Sequence, residues 1–351
     1  VISEYLLSRA RCPACGGAPA DRDPARLLPD EGKLRCQRCS QAYPLRKEDG
    51  FLDLRPPAGT FGELTAYADE EFSTRPGPLR PPFLSAGVKI SVMSRFLGLS
   101  PEDQVLDIGC GNGRAAYFRR SRCSQMVGID AGAHFAPEAL VTVDLARGDV
   151  RRLPFASQSF DKAYSLDVLE HLNQEGVRAM LSEARRVLRP KGRLFLYSHV
   201  MMSSGLARFQ RGVNRLVRFL DRRGLVDNEP ERRRKSDHLN ALRSYRELES
   251  VVRETGFEME KIRYYNVVLK AVIEDLLLPL AEHNLWRRRR GAGPRAATGG
   301  SSGNSPGNAE RPAVGRWTHP PLALATQLMK LDVVLFGRIR TGPFFLLLRA
   351  R

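Results

Sequence analysis

The sequence predicts an α/β fold, a mostly parallel β-sheet with helices, preceded by a small cysteine-stapled module. Three observations predict it. Gln104-Val-Leu-Asp-Ile-Gly-Cys-Gly-Asn-Gly-Arg114 runs from a short apolar stretch through three glycines into helix-compatible residues, as a buried parallel strand does when it turns sharply into a helix. A second apolar run, Gln125 to Asp130, ends in an acid and is followed by further strand-like segments around Asp149 and from Phe160 to Leu166. Near the N-terminus, two C-x2-C pairs stand 20 residues apart.

Composition bounds the rest. A chain of 351 residues with 42% hydrophobic content accommodates one full-sized domain with additions. The formal charge of +17 points to an anionic partner, nucleic acid or an acidic membrane surface; an Arg-favouring genome accounts for the same excess. Val1 to Arg9 lacks the apolar core of a signal peptide, and no run of about 20 apolar residues marks a membrane span. The expected location is therefore the cytoplasm, with peripheral contact at the inner face of the membrane as a further reading. In that compartment six cysteines favour metal binding or free thiols over disulfides.

Cys12, Cys15, Cys36 and Cys39 have the spacing of a structural zinc site, two knuckles each placing two thiolates on one tetrahedral metal. Such a site has no open coordination position, and so small a unit needs the staple to fold. Cys110 and Cys123 lack C-x2-C partners and are expected to stay free. Gln41 to Leu54 is expected to continue the module as a hairpin turning near Asp49-Gly50. Linkers follow at 55–60 and 75–82, with helices expected at Phe61–Phe72 and Leu84–Leu97. The module resembles the zinc ribbons that precede some bacterial methyltransferase domains, one group of which methylates ribosomal RNA, although the histidine that group carries near its second Cys pair is missing here.

The glycines let a ligand approach the backbone. A dinucleotide fingerprint would put its third glycine at Arg114; instead Asp107, Gly109, Gly111 and Gly113 form D-x-G-x-G-x-G. This resembles motif I of the class I S-adenosylmethionine (SAM)-dependent methyltransferases, and the likeness continues from Gln104 to Tyr197, closest to the quinone-biosynthesis type. It implies a Rossmann-like sheet of seven strands with the last antiparallel, and SAM as co-substrate. Asp107, Gly109, Gly111, Asn112 and Gly113 would form the cofactor loop. Asp130 stands 23 residues beyond Asp107, the offset at which a carboxylate meets the ribose hydroxyls. Asp149 and Val150 would meet the adenine, and Ser165 and Leu166 would lie beside the sulfonium.

A hydroxyl or amine acceptor needs a base, for which His171, His199 and His238 are the candidates. Asp167 to His171 reads D-x-x-E-H, resembling the E-x-x-E-H run that binds a divalent metal in quinone O-methyltransferases; an ordinary helix cap is the other reading of His171. Helix 243–255 and strand 257–265 come next, and Gly342 to Ala350 reads as the last strand. Between them 267–285 and 321–335 are apolar helical stretches, while 287–316 is basic, Gly/Ser/Pro-rich and expected to be disordered. The domain map is thus 1–55 zinc ribbon, 56–95 linker and lead-in helices, 96–265 SAM-binding core, 266–340 insertion and 341–351 last strand.

Leu206, Phe209, Val213, Leu216, Val217 and Leu220 share one face of a helix whose opposite face carries Arg208, Arg211, Arg215, Arg218 and Arg222. Within the basic segment 201–240, this helix resembles one lying in the plane of an anionic membrane. The expected function is methyl transfer to an apolar, lipid-linked or glycan small molecule. Transfer to RNA, with the ribbon as RNA-binding element, is the alternative. A non-catalytic SAM- or partner-binding module is the reading from another class.

Overall fold

The buried apolar runs of the sequence become strands, and glycines or side-chain caps end the helices that cross between them. The computed structural model describes residues 2–15, 24–56, 78–200, 205–225, 239, 242–265, 268–281 and 319–351. The short helix α1 (Glu4–Arg9) precedes a three-stranded antiparallel sheet of β1 (Leu27–Asp30), β2 (Lys33–Cys36) and β3 (Ala42–Pro44). The main sheet contains β4 (Leu52–Asp53), β5 (Gln104–Ile108), β6 (Gln125–Asp130), β7 (Asp144–Arg147), β8 (Phe160–Leu166), β9 (Leu188–His199), β10 (Phe257–Tyr264) and β11 (Pro343–Ala350). Its order is β10-β11-β9-β8-β5-β6-β7-β4. Strands β4 to β9 pair in parallel, and β11 enters antiparallel between β9 and β10. This is the Rossmann-like class I methyltransferase sheet with its reversed last strand.

Helices cover both faces, and the core accordingly has two layers. One face carries α2 (Leu84–Leu97), α3 (Arg114–Arg119), α4 (Pro137–Leu140) and a late helix, His319–Phe336. The other carries α1, α5 (Gln174–Val187) and a helix at Tyr245–Glu254. Local chemistry sets their ends. Asn173 Oδ1 accepts the Gly176 N–H at 2.7 Å to start α5, and α2 stops at Gly98 in the left-handed region, where a residue with a Cβ is strained. Numbered in order, α6 is Gly205–Arg222, α7 is Tyr245–Glu254, α8 is Val268–Lys270, which continues as a π-helix over Ala271–Leu277, and α9 is His319–Phe336.

Three expectations are corrected. The stretch 41–54 is not a hairpin: β3 pairs with β2, whereas β4 leaves the small sheet and pairs in parallel with β7. The main sheet therefore has eight strands rather than seven, the additional one coming from the cysteine module. The apolar face of α6 does not stand free either, because Val213 and Val217 are buried and pack with Leu220 against Leu276 and Leu280. Its arginines Arg215, Arg218 and Arg222 are exposed as expected. The helix expected at 61–72, the segment 287–316 and His238 lie outside the described residues. Among the described residues, no helix is long and apolar enough to cross a membrane.

Candidate functional site

The carboxyl ends of β5, β6 and β8 meet at one edge of the sheet, where parallel α/β sheets bind ligands. Gly109, Gly111 and Gly113, directly after β5, all have positive φ, between 55° and 80°. Each glycine has its own reason. A Cβ on Gly109 would lie 2.2 Å from Val168 Cγ2, and one on Gly113 2.8 Å from Ala139 Cβ, so both are needed for packing. A Cβ on Gly111 would meet nothing within 4 Å. Here the backbone borders open space, as it must where a ligand comes close. Asn112 steadies the turn, its Oδ1 accepting the Arg114 N–H at 3.2 Å.

Asp130 ends β6 opposite this loop. Its carboxylate accepts from Gly111 N at 2.7 Å and Gly132 N at 2.9 Å. Burial raises its pKa, against the Gly132 and Gly111 N–H groups and the nearby His134. His134 was not singled out from the sequence, and its Nε2 is buried with no hydrogen-bond partner. An isolated histidine in a loop carries no periodicity or motif that would have flagged it. A ribose diol donating to Asp130 and an adjacent acceptor or donor at His134 fit a nucleoside, so the residues present suit SAM.

Other expected contacts lie elsewhere. Asp107 sits beneath the loop at 2% exposure, accepting from Tyr164 Oη at 2.8 Å. Burial pushes its carboxyl up to about 8, although the Tyr164 hydroxyl and the Ala116 N–H oppose this. Its hydrogen bond from Tyr164 ties β5 to β8. Ser165 is likewise fully buried, and its Oγ donates to Ile108 O at 2.8 Å. Leu166 remains partly exposed at the strand end. Asp149 is 5% exposed and is gripped by Arg151, with Nε at 3.0 and 2.9 Å and Nη2 at 2.6 Å from its carboxylate oxygens, while Val150 is 8% exposed.

Beyond β8 and β9 lies a second cluster. Asp167 follows β8 with φ 59° and pairs with Lys89 Nζ of α2 at 2.6 Å; the same ammonium lies 4.4 Å from the centre of the Tyr197 ring. Glu170 is 5% exposed and accepts from Ser198 Oγ at 2.7 Å. Burial first and the Asp167 charge second push its pKa up, with His199 pulling the other way. His199, the last residue of β9, lies near enough to this buried carboxyl to favour its charged form. His171 closes the 3-10 turn Leu169–His171. Asp167, Glu170 and His171 do not converge as a metal site; among the described residues only the four N-terminal cysteines do.

Those cysteines converge as expected. The four sulfurs lie within 4.8 Å of one another, with Cys12–Cys39 at 3.7 Å and Cys15–Cys36 at 3.6 Å. A disulfide would need about 2.05 Å. A tetrahedral zinc with Zn–S near 2.3 Å separates its sulfurs by about 3.8 Å, so the cluster fits the ion. At Cys36, burial pushes the thiol up, but the Cys39 and Arg38 N–H groups outweigh it and hold the group at about 7. Cys110 and Cys123 are free.

With this geometry in place, comparison with known proteins is informative. The family model described as "Methyltransferase domain" matches residues 106–196. An O-methyltransferase of Pyrenophora dematioidea is 35% identical over 122 residues, covering 32% of this chain and 45% of that protein. The 2-phytyl-1,4-naphtoquinone methyltransferase of Synechocystis is 29% identical over 133 residues, 33% of this chain and 54% of that protein. The chain thus spans about half the length of these curated relatives. Among solved structures, the phosphoethanolamine N-methyltransferase 2 of Haemonchus contortus in complex with SAM is similar at a TM-score of 0.43 and 17% identity, covering 75% of this chain and 51% of that one. The residues that match the methyltransferase-domain model are the ones that form the glycine loop and the central parallel strands β5 to β9 of the Rossmann-like sheet.

Proposed function

We propose that this chain is a SAM-dependent methyltransferase acting on an apolar, lipid-linked or glycan small molecule. The observation that carries the first half is the cradle formed by Gly111, open on its Cβ side, and the Asp130 carboxylate facing it across 2.7 Å. When bound, SAM supplies a methyl group on a sulfonium, a good leaving group. The chain's part is to hold the acceptor in line and keep water away. For a hydroxyl or amine acceptor we place the base at His199, with Glu170 as the residue that positions it. His199 Nδ1 or Nε2 would take the acceptor's proton as the new bond forms, and the carboxyl of Glu170 would stabilise the imidazolium. An acceptor of modest size is favoured because α2 and Lys89 close over the end of β8.

Calorimetric titration of the whole chain with SAM tests the cradle. Asp130→Ala is expected to weaken binding about a hundredfold, the worth of charge-assisted hydrogen bonds to two hydroxyls; equal affinity would overturn the reading. A labelled-methyl assay on fractionated extract then separates enzyme from passive binder, with product scored as lipid, glycan, small molecule or RNA. Label in RNA alone would replace the small-molecule reading, and binding without turnover would leave a SAM-binding module.

The four-cysteine cluster supports a structural zinc. The ion would tie together two knuckles whose strands bury Leu27, Leu34 and Tyr43 in the same core as the main sheet. Elemental analysis is expected to find one zinc per chain, lost in Cys36→Ser together with several kcal/mol of the module's stability. A reduced, freshly purified protein without zinc would remove the ion from this account.

A further inference from the structure

Helix α9 is apolar on two sides, and among the described residues protein covers one of them. Met329 and Val333 are buried against α2, and Thr326, also buried, accepts the Leu84 N–H at 2.7 Å. Contact is close because α2 has Gly87 there: a Cβ would lie 2.9 Å from Thr326 Cγ2. The outward side bears Leu324, Leu328, Leu331 and Leu335 at helical spacing, 64%, 43%, 51% and 69% exposed, with Val334 beside them at 63%. From Leu324 to Leu335 this stripe runs roughly 17 Å along the helix. A helix apolar all round is normally buried all round. Scattered exposed leucines need no explanation, but a continuous stripe marks a contact surface.

The charges lining the groove beside the stripe have one sign, while the nearby Glu274 is engaged by Ser85 of α2. A groove of about 380 Å³ between α2 and α9 is lined by Leu324, Leu328, Leu331 and Val334, with Arg95 and Lys330 among its walls. The Lys330 ammonium is close enough to Arg119 and Arg95 to be disfavoured by both, after burial. Residues 84–97 contain no acid, and the only acid in 319–342 is Asp332, which is 1% exposed. Arg338 and Arg340 follow the helix.

We propose that the outward face of α9, with the cationic groove against α2, seats on an anionic phospholipid bilayer. The leucines enter the boundary between headgroups and acyl chains, to the depth of about 5–10 Å usual for in-plane helices. Arg95, Lys330 and Arg338 reach lipid phosphates while their stems lie along apolar surface. Charge complementarity selects this occupant: a protein partner needs shape matched to the groove, whereas a bilayer needs only apolar side chains rimmed by cations. The inference does not depend on methyl transfer. It also places membrane contact on α9 rather than on the α6 stripe, of which Val213 and Val217 are packed inside the protein.

The test is flotation of the full chain with vesicles of phosphatidylcholine alone or mixed with phosphatidylglycerol. Binding is expected only to the mixed vesicles and should weaken as salt is raised. Leu328→Glu with Leu331→Glu, and separately Arg95→Glu with Lys330→Glu, should each cut the bound fraction about tenfold or more. These side chains are on the surface or groove wall; unchanged thermal unfolding confirms that the fold is intact. Absence of flotation, or equal binding by wild type and both variants, overturns the proposal. So does a reversible dimer in sedimentation without vesicles that Leu331→Glu abolishes, for then the face joins two copies. Loss of binding in Arg215→Glu with Arg218→Glu, but not in the α9 variants, assigns the contact to α6 and overturns it too.

Discussion

The cofactor cradle and the helical roof that α2, the π-helix and α9 form on one face of the sheet are built in opposite ways. The cradle is backbone: three left-handed glycines after β5 and one carboxylate at the end of β6, within 24 consecutive residues from Asp107 to Asp130. The roof is side chains from α2, the π-helix and α9, which are far apart in the sequence. Ser85 N donates to Glu274 Oε1 at 2.7 Å, Thr326 receives Leu84 N, and Lys89 reaches Asp167. A backbone site tolerates almost no change at its few positions, because neighbours such as Val168 and Ala139 pack directly on it. A side-chain roof tolerates change at many positions and can be retuned for a different acceptor.

Breaking the cradle should therefore cost most. Gly109→Ala forces a Cβ to 2.2 Å from Val168 Cγ2 at φ 77°, for an expected loss of about 2–4 kcal/mol in unfolding free energy. SAM titration of the same variant should show no measurable binding. In the roof, Gly87→Ala puts a Cβ 2.6 Å from Pro82 O and 2.9 Å from Thr326 Cγ2. A loss of about 1–3 kcal/mol is expected by denaturant unfolding, with SAM affinity unchanged. If Gly87→Ala lowered SAM affinity as much as Gly109→Ala, the two regions would not be separable.

Asp332 sharpens the contrast, because it is a roof residue that costs stability. It is 1% exposed, neither carboxylate oxygen has a partner, and burial pushes its pKa up to about 6. The native state therefore holds this proton more tightly than the unfolded chain. Its contribution is fully present below the ordinary carboxylate pKa near 4 and is lost as pH rises through about 6. Asp332→Asn should gain about 1–2 kcal/mol near pH 7.5, less than the full worth of the shift because the amide is also unpartnered. Thermal melts should show the gain vanish as pH falls toward about 4; a gain constant with pH would contradict the assignment. The smallest effect is expected from Lys89→Met. Its pair with Asp167 is partly solvated and worth at most about 1 kcal/mol, so the melt should barely move while the KM for acceptor rises and that for SAM does not.

What was legible in the sequence divides along the same line. The glycine loop, Asp130 and the four cysteines could be read because strand, turn and ligand spacings are local. The order of β9, β11 and β10 followed from the family resemblance. Asp107 and Ser165 hydrogen-bond to Tyr164 and Ile108 on the neighbouring strand, contacts that no local pattern records. The same holds for α6, whose periodicity was right although its partner face, Leu276 and Leu280, lies in a segment with no fixed spacing to it. The hairpin expected at 41–54 failed because β4 is two residues long and pairs with β7 about 90 residues later.

That two-residue strand has a consequence for solubility. The two outer edges of the main sheet are protected differently. On β10, the sequence alternates charges, Glu258, Glu260, Lys261 and Arg263, and the pairing with β11 is irregular between Met259 and Lys261, features that discourage a second molecule from adding a strand. On the other side β7 is buried throughout and has no such charges at Leu145 and Ala146. Among the described residues its paired strand is the two-residue β4, Leu52 and Asp53, delivered by the cysteine module. Should the cysteine cluster hold zinc as proposed, loss of the ion would loosen the module that supplies β4 and expose that edge, so the expected first sign of metal removal is aggregation through β7.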